Sequence, residues 1–252
     1  MNIIKPSTPM RSEANNGSAL ETECLFGETV ELLDNAFEWN YCKLLTDNYY
    51  GWVKKKDLGY LPVSTHRVIS TRSFLYERKD AKSPCIHYLP LGAQVSVQLI
   101  KDGWAEVILC RSSNNNKFAY TPSNHIVEKG NKFQNWVSIA EKLISTPYKW
   151  GGRDSIGLDC SALLQLSIQT FGYHLPRNTI DQMALQKEII IDTNKLCRGC
   201  VIFWKGHVCI MVDKLNCIHA NAFHMQTKVE PLNDVLFRMK KEYPIVKMMN
   251  FN

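Results

Sequence analysis

The chain has 252 residues, 45% of them hydrophobic and 21% charged, with a formal charge of +6. This length fits one large domain or two or three small ones, and the composition excludes a disordered or collagen-like chain. No apolar run reaches the roughly 18 residues of a membrane-crossing helix. The longest basic run, Lys54-Lys55-Lys56, reads as a solvated face, so neither nucleic acid nor membrane is an expected partner.

The N-terminal stretch is polar, carries Glu13, Glu21 and Glu23, and lacks the basic-then-apolar order of a signal peptide. A cytoplasmic placement is therefore expected. Nine cysteines fit it: the number is odd, and they scatter from Cys24 to Cys217 without a dense framework. In a reducing compartment most should be thiols buried as small hydrophobes.

Up to about residue 130, short apolar stretches alternate with turn residues. Thr29–Leu33, Gly51–Val53, Ala93–Val97, Trp104–Leu109 and Phe118–Tyr120 read as strands bounded by Gly, Asn, Asp and Pro. The pattern occurs twice. Gly27-Glu28-Thr29-Val30 precedes the Trp39 strand, and Gly92-Ala93-Gln94-Val95 precedes the Trp104 strand. Two small β-barrels are expected, at 14–61 and 62–129, joined near Leu61-Pro62-Val63. A third domain is expected at 130–252.

That third domain mixes helices and strands. Trp136, Ile139, Ala140, Leu143 and Ile144 follow helical spacing and predict an amphipathic helix ended by Pro147. A second helix is predicted from Cys160 to Phe171, with Leu164, Ile168 and Phe171 on one stripe, Gly172 at its C-terminus and Pro176 beyond. The stretches Val201–Trp204, Val208–Val212 and Cys217–His219 read as strands. Helices followed by a run of strands is α+β grammar.

The chemistry concentrates around Pro147–Ser161, where three glycines make a loop and Cys160 opens a helix. A helix N-terminus carries partial positive charge, which favours the nucleophilic thiolate. His207 opens one predicted strand and His219 lies on the next. If His207 faces Cys160 it can take the thiol proton, and His219 can hold the His207 ring in the useful tautomer. A buried structural cysteine is the commoner fate of any single thiol. The ordered set of three is far harder to obtain by chance.

The segment Pro147 to Ser161, with Leu163, Leu175-Pro176-Arg177, Gln182, Arg198–Trp204, Gly206–Met211 and His219, closely resembles the NlpC-type family of papain-like cysteine peptidases. The resemblance covers about residues 130–252, and the upstream units resemble bacterial SH3-like barrels. It implies an α+β papain-like catalytic domain preceded by two such barrels, similar to endopeptidases that cleave γ-D-glutamyl bonds to a diamino acid in murein peptides. By the same resemblance, Cys160, His207 and His219 match the triad, and Tyr148 matches a tyrosine near the oxyanion site. Asp159 and Ser161 match positions that help hold the free amine of an N-terminal L-alanine. Glu28 and Tyr49 are candidates for the acidic residue and tyrosine that the first barrel supplies to that pocket. Two departures stand out: Cys200 replaces a usual Asp, and Ala162 replaces a frequent Gly. Arg177 is expected to be structural.

The implied partner is a murein tripeptide or related short peptide, with no cofactor or metal, and the implied setting is cell-wall recycling. Three rivals remain open at this stage. Cys197-Arg198-Gly199-Cys200 has the spacing of half a zinc site, but Cys209 and Cys217 lack the spacing of a second ligand pair. A catalytically inactive wall-peptide-binding protein would use the same barrels. An amidase or acyltransferase would use the same thiol.

Overall fold

The computed structural model describes residues 1–110, 117–131, 135–170, 172–239 and 244–251. The chain divides into two compact units, Met1–Lys132 with Arg153–Ser155, and Phe133–Gly152 with Ile156–Asn252.

The first unit is built of short antiparallel strands over two separate cores. Its first sheet has the order Leu20–Leu25, Ser7–Arg11, Tyr49–Lys54, Trp39–Leu44, Val30–Ala36. Strand Ser7–Arg11 lies before the expected start at residue 14, and its Met10 packs with Ile3, Cys24, Val30, Cys42, Leu44, Val53 and Leu58. A second five-stranded sheet has the order Cys85–Pro90, Arg72–Tyr76, Lys117–Pro122, Trp104–Cys110, Val97–Lys101. The predicted strand 93–97 is split by Ser96, and Gln94–Val95 joins a separate three-stranded sheet with His66–Val68 and Ile126–Glu128.

None of these sheets pairs its first strand with its last. Among the described residues they are open sheets, where closed barrels were expected. Bulges at Leu32/Asp34 and Val97/Leu99 bend the strands and curl the sheets, but strands of five to seven residues end before the edges meet.

The two cores of this unit meet at one turn. Phe26 leaves the first sheet to pack with Val68, Leu75, Leu89, Ala93 and Val95 of the second core, and its carbonyl accepts the Gln94 N–H at 2.8 Å. Gly27 then turns with φ +80°, and a Cβ there would lie 1.9 Å from the Gln94 carbonyl oxygen. Both the conformation and the space demand glycine.

The second unit carries a six-stranded antiparallel sheet with the order Glu188–Ile189, Lys247–Asn250, Cys200–Trp204, His207–Met211, Asn216–Asn221, Gln226–Pro231. Helix Cys160–Thr170 packs on the central strands His207–Met211 and Asn216–Asn221. All eleven of its residues are buried, so its periodicity is weaker than an amphipathic helix would show. Phe171, expected on its apolar stripe, lies outside the described residues. Gly172 follows with φ +85°, the left-handed conformation that closes a helix. The first predicted helix is shorter than its pattern suggested: it spans Val137–Glu141, and Ile144 lies beyond it and is exposed. Helix Leu232–Met239 follows the last sheet strand directly. No helix among the described residues is long and apolar enough to cross a membrane.

Gly27→Ala should lower stability by about 2 kcal/mol or more, because it adds a backbone clash to a strained φ. Urea unfolding monitored by tryptophan fluorescence reads the loss, and an unchanged midpoint would remove Gly27 from its role as the junction of the two cores.

Candidate active site

Cys160 stands at the first position of its helix because Asp159 caps it. The Asp159 carboxylate accepts the Ala162 N–H at 2.9 Å, an N-cap bond worth about 1 kcal/mol. The same carboxylate accepts from the Gly151 N–H at 2.9 Å and the Ser161 hydroxyl at 3.1 Å. Arg177 completes the set with bonds of 2.9 and 2.6 Å to its two oxygens. These bonds occupy the roughly four lone-pair directions of a carboxylate. Arg177 also reaches the Ser161 hydroxyl at 2.7 Å, and Gln182 donates to the Ser161 carbonyl at 3.1 Å. The loop before the helix is equally constrained. A Cβ on Gly152 would sit 2.3 Å from the Gly157 carbonyl oxygen, so the loop can fold back on itself only with glycine there.

The sulfur of Cys160 receives a hydrogen bond from the Val208 backbone, one residue from His207 along the strand. Burial, followed by the Asp159 charge, pushes the thiol up to about 12; the Val208 and Ser161 backbone groups and Arg177 pull the other way without prevailing. His207 is pushed down to about 3, first by burial and then by His219 and Arg238, with Glu230 opposing. The pair therefore rests as neutral thiol and neutral imidazole. The helix N-terminus was expected to favour thiolate, but desolvation of a residue 6% exposed outweighs it.

His207 Nε2 lies 2.7 Å from His219 Nδ1, so the two histidines singled out in the sequence are in contact. Tyr148 belongs to the same unit. Burial and the nearby Cys160 and Asp159 push its phenol up to about 12 against the pull of Arg177, leaving it a proton donor at neutral pH. A cavity of about 170 Å³ is bounded by His207, His219, Asn221, Phe223 and Arg238, among others.

Glu28 and Tyr49 belong to the first unit and have partners there. Glu28 is buried and receives both guanidinium nitrogens of the fully buried Arg153 at 3.1 Å each, together with the Leu25 N–H at 2.7 Å. The Tyr49 hydroxyl donates to Glu21 at 3.0 Å. Arg153 carried no signal in the sequence beyond its place in a glycine-rich loop.

All nine cysteines are thiols. Cys197 and Cys200 face each other at 3.4 Å, while the Cys209 and Cys217 thiols share a hydrogen bond. Among the described residues no three His, Cys, Asp or Glu side chains gather to hold a metal ion.

A neutral resting pair has a measurable signature. The rate of Cys160 carboxamidomethylation, followed by peptide mass spectrometry, should rise about tenfold per pH unit through neutrality as thiolate accumulates. A rate that is level across neutral pH would show a preformed thiolate instead.

Comparisons with known proteins identify the domains that carry these residues. Residues 145–243 match the NlpC/P60 family, and residues 10–58 match the bacterial dipeptidyl-peptidase Sh3 domain. Dipeptidyl-peptidase 6 of Lysinibacillus sphaericus is 30% identical over 113 residues, 44% of this chain; the match spans only 41% of that protein's length. The gamma-D-glutamyl-L-lysine dipeptidyl-peptidase of Bacillus cereus is 23% identical over 249 residues, covering 86% of this chain and 72% of that protein. The crystal structure of an NlpC/P60 family protein from Bacillus cereus superposes with a TM-score of 0.83 at 17% identity, covering 99% of this chain and 98% of the other, which establishes the shared fold. Residues 145–243 thus form an NlpC/P60-family domain, preceded in the chain by a bacterial dipeptidyl-peptidase Sh3 domain at residues 10–58.

Proposed function

We propose that the chain is a cysteine peptidase that hydrolyses the γ-D-glutamyl bond to the diamino acid in short murein peptides bearing a free N-terminal L-alanine. The observation that carries the reading is the buried array of helix-capped Cys160 beside the strand of His207, with His219 hydrogen-bonded to the His207 ring. The names of the relatives, which act on γ-D-glutamyl-L-lysine or as dipeptidyl-peptidases, supply the substrate class.

In this mechanism His207 takes the Cys160 proton as the sulfur attacks the γ-glutamyl carbonyl. The Cys160 backbone N–H and the Tyr148 hydroxyl stabilise the oxyanion. The proton passes from His207 to the departing amine of the diamino acid, the C–N bond breaks, and an acyl-enzyme remains. Water, deprotonated by His207, then releases L-Ala-D-Glu and restores the thiol. No redox partner or metal enters this balance.

The free amine is the finer part of the proposal. Asp159 already accepts five hydrogen bonds, so its contribution there runs through ordering Ser161 and the loop. Glu28 is a poor probe of recognition, since breaking its buried pair with Arg153 costs about 3–5 kcal/mol. Tyr49→Phe is the cleaner variant. An enzyme that demands a free amino end acts on released peptides, which fits wall-peptide recycling.

Incubating the full chain with L-Ala-γ-D-Glu-L-Lys, and separately with its meso-diaminopimelate counterpart, should release L-Ala-D-Glu, identified by mass spectrometry. Acetylating the N-terminal amine should slow cleavage by about a hundredfold, and Cys160→Ala should abolish it. Absence of the dipeptide product would sink the substrate assignment. Equal cleavage of the acetylated peptide would remove the amine requirement, and undiminished cleavage by Cys160→Ala would overturn the mechanism.

A further inference from the structure

Beyond His219 the hydrogen-bonded chain continues to a residue that no sequence motif marks. His219 Nε2 lies 2.7 Å from Glu230 Oε1. Strand register explains the meeting. His219 pairs directly with Lys228 across the Asn216–Asn221 and Gln226–Pro231 strands, and Glu230, two residues on, is the diagonal neighbour on the same face. Arg238, in the last turn of the following helix, holds the Glu230 carboxylate with Nη1 at 2.8 Å and Nη2 at 2.5 Å. His224 Nε2 stands 3.3 Å from Oε1. His219 and Glu230 are both buried.

We propose that Glu230, clamped by Arg238, is the positioning residue that sets the proton order of both histidines and so makes His207 a base toward Cys160. The reasoning needs only donor and acceptor counting. An ionised carboxylate accepts and never donates, so His219 carries its proton on Nε2. Neutral His219 then offers a lone pair at Nδ1, and His207 must donate to it from Nε2. The remaining ring nitrogen, His207 Nδ1, is left with a lone pair, and that is the atom free to take the thiol proton. Reversing the end group reverses every bond in the chain and puts a proton on His207 Nδ1.

Arg238 keeps the end group fixed. Burial alone would raise the Glu230 carboxyl, but Arg238, His219 and His224 together hold it down at about 2. It stays an acceptor throughout the range in which a peptidase works. Because Arg238 also cancels the carboxylate's charge, the pair contributes direction to the proton chain more than net field at His207. Among the described residues, the titratable and charged groups found acting within this chain are His207, His219, His224, Glu230 and Arg238, and of these Glu230 alone is confined to accepting.

The inference rests on the peptidase reading for its consequence in rate, but its structural core is measured without substrate. In the wild-type protein, ¹⁵N NMR of histidine should show His219 protonated at Nε2 and His207 at Nε2, with His207 Nδ1 bare. A His219 proton on Nδ1 would overturn the proposal at once.

Glu230→Gln keeps the shape. With its carbonyl turned to the Arg238 guanidinium, its amide N–H faces His219. The expected result is a proton on His207 Nδ1, slower alkylation of Cys160, and, on the murein tripeptide, a kcat lower by about a hundredfold or more with little change in KM. Glu230→Asp retains an acceptor and should keep the wild-type tautomers and a kcat within about tenfold of wild type. If Glu230→Gln folds but leaves the His207 tautomer unchanged, a purely structural role is shown and the proposal fails. If the tautomers shift as expected while neither wild type nor variant cleaves the tripeptide, it is the substrate reading that fails and the positioning role that stands.

Discussion

The bond set around the Asp159 carboxylate is the constraint on which the position of Cys160 depends. One side chain caps the helix, anchors the Gly151 backbone and binds the Arg177 guanidinium, so loop and helix start are fixed by a single buried ion pair. A buried charge is tolerated only when its lone pairs are filled, and here each donor that fills them is a part whose position matters to Cys160. Arg177, Ser161 and Gln182 lie outside the reacting pair, yet they decide where the thiol sits.

Electrostatics then shape how that thiol works. Burial keeps Cys160 protonated and His207 neutral, so under the proposed mechanism nucleophile and base form together during the attack. In such a site the direction in which hydrogen bonds point matters as much as the distances between them. The strand carrying His207, the strand carrying His219 and the strand carrying Glu230 are consecutive neighbours in one antiparallel sheet, and this adjacency links three side chains into one hydrogen-bonded chain.

The candidate reacting groups are more legible in the sequence than the residues that support them. Cys160, His207 and His219 stand in a pattern of glycine loop, helix start, strand start and following strand that is readable without coordinates. Helix and strand periodicity likewise gave the central helix and the strands 200–204, 207–211 and 216–221 to within a residue or two. Glu230 was not legible, because Lys-Val-Glu-Pro on a strand looks like any half-exposed edge until the register with His219 is known. Arg153 escaped for a similar reason: a charged residue in a glycine-rich loop reads as solvated, and its burial against Glu28 is a long-range event. The open sheets of the first unit were missed because closure depends on strand bending and length, and residue alternation encodes neither.

The position of Arg238 has a consequence for the order in which the molecule is made. Chains emerge from synthesis N-terminus first, so the thiol, the loop and both histidines are present well before the helix Leu232–Met239. Until that helix folds back, Glu230 lacks the guanidinium clamp that Arg238 supplies. A nascent chain at that point holds the thiol and both histidines before the end of their hydrogen-bonded chain is secured. On the proposed reading, the docking of helix Leu232–Met239 is the step that fixes the end of that chain in place.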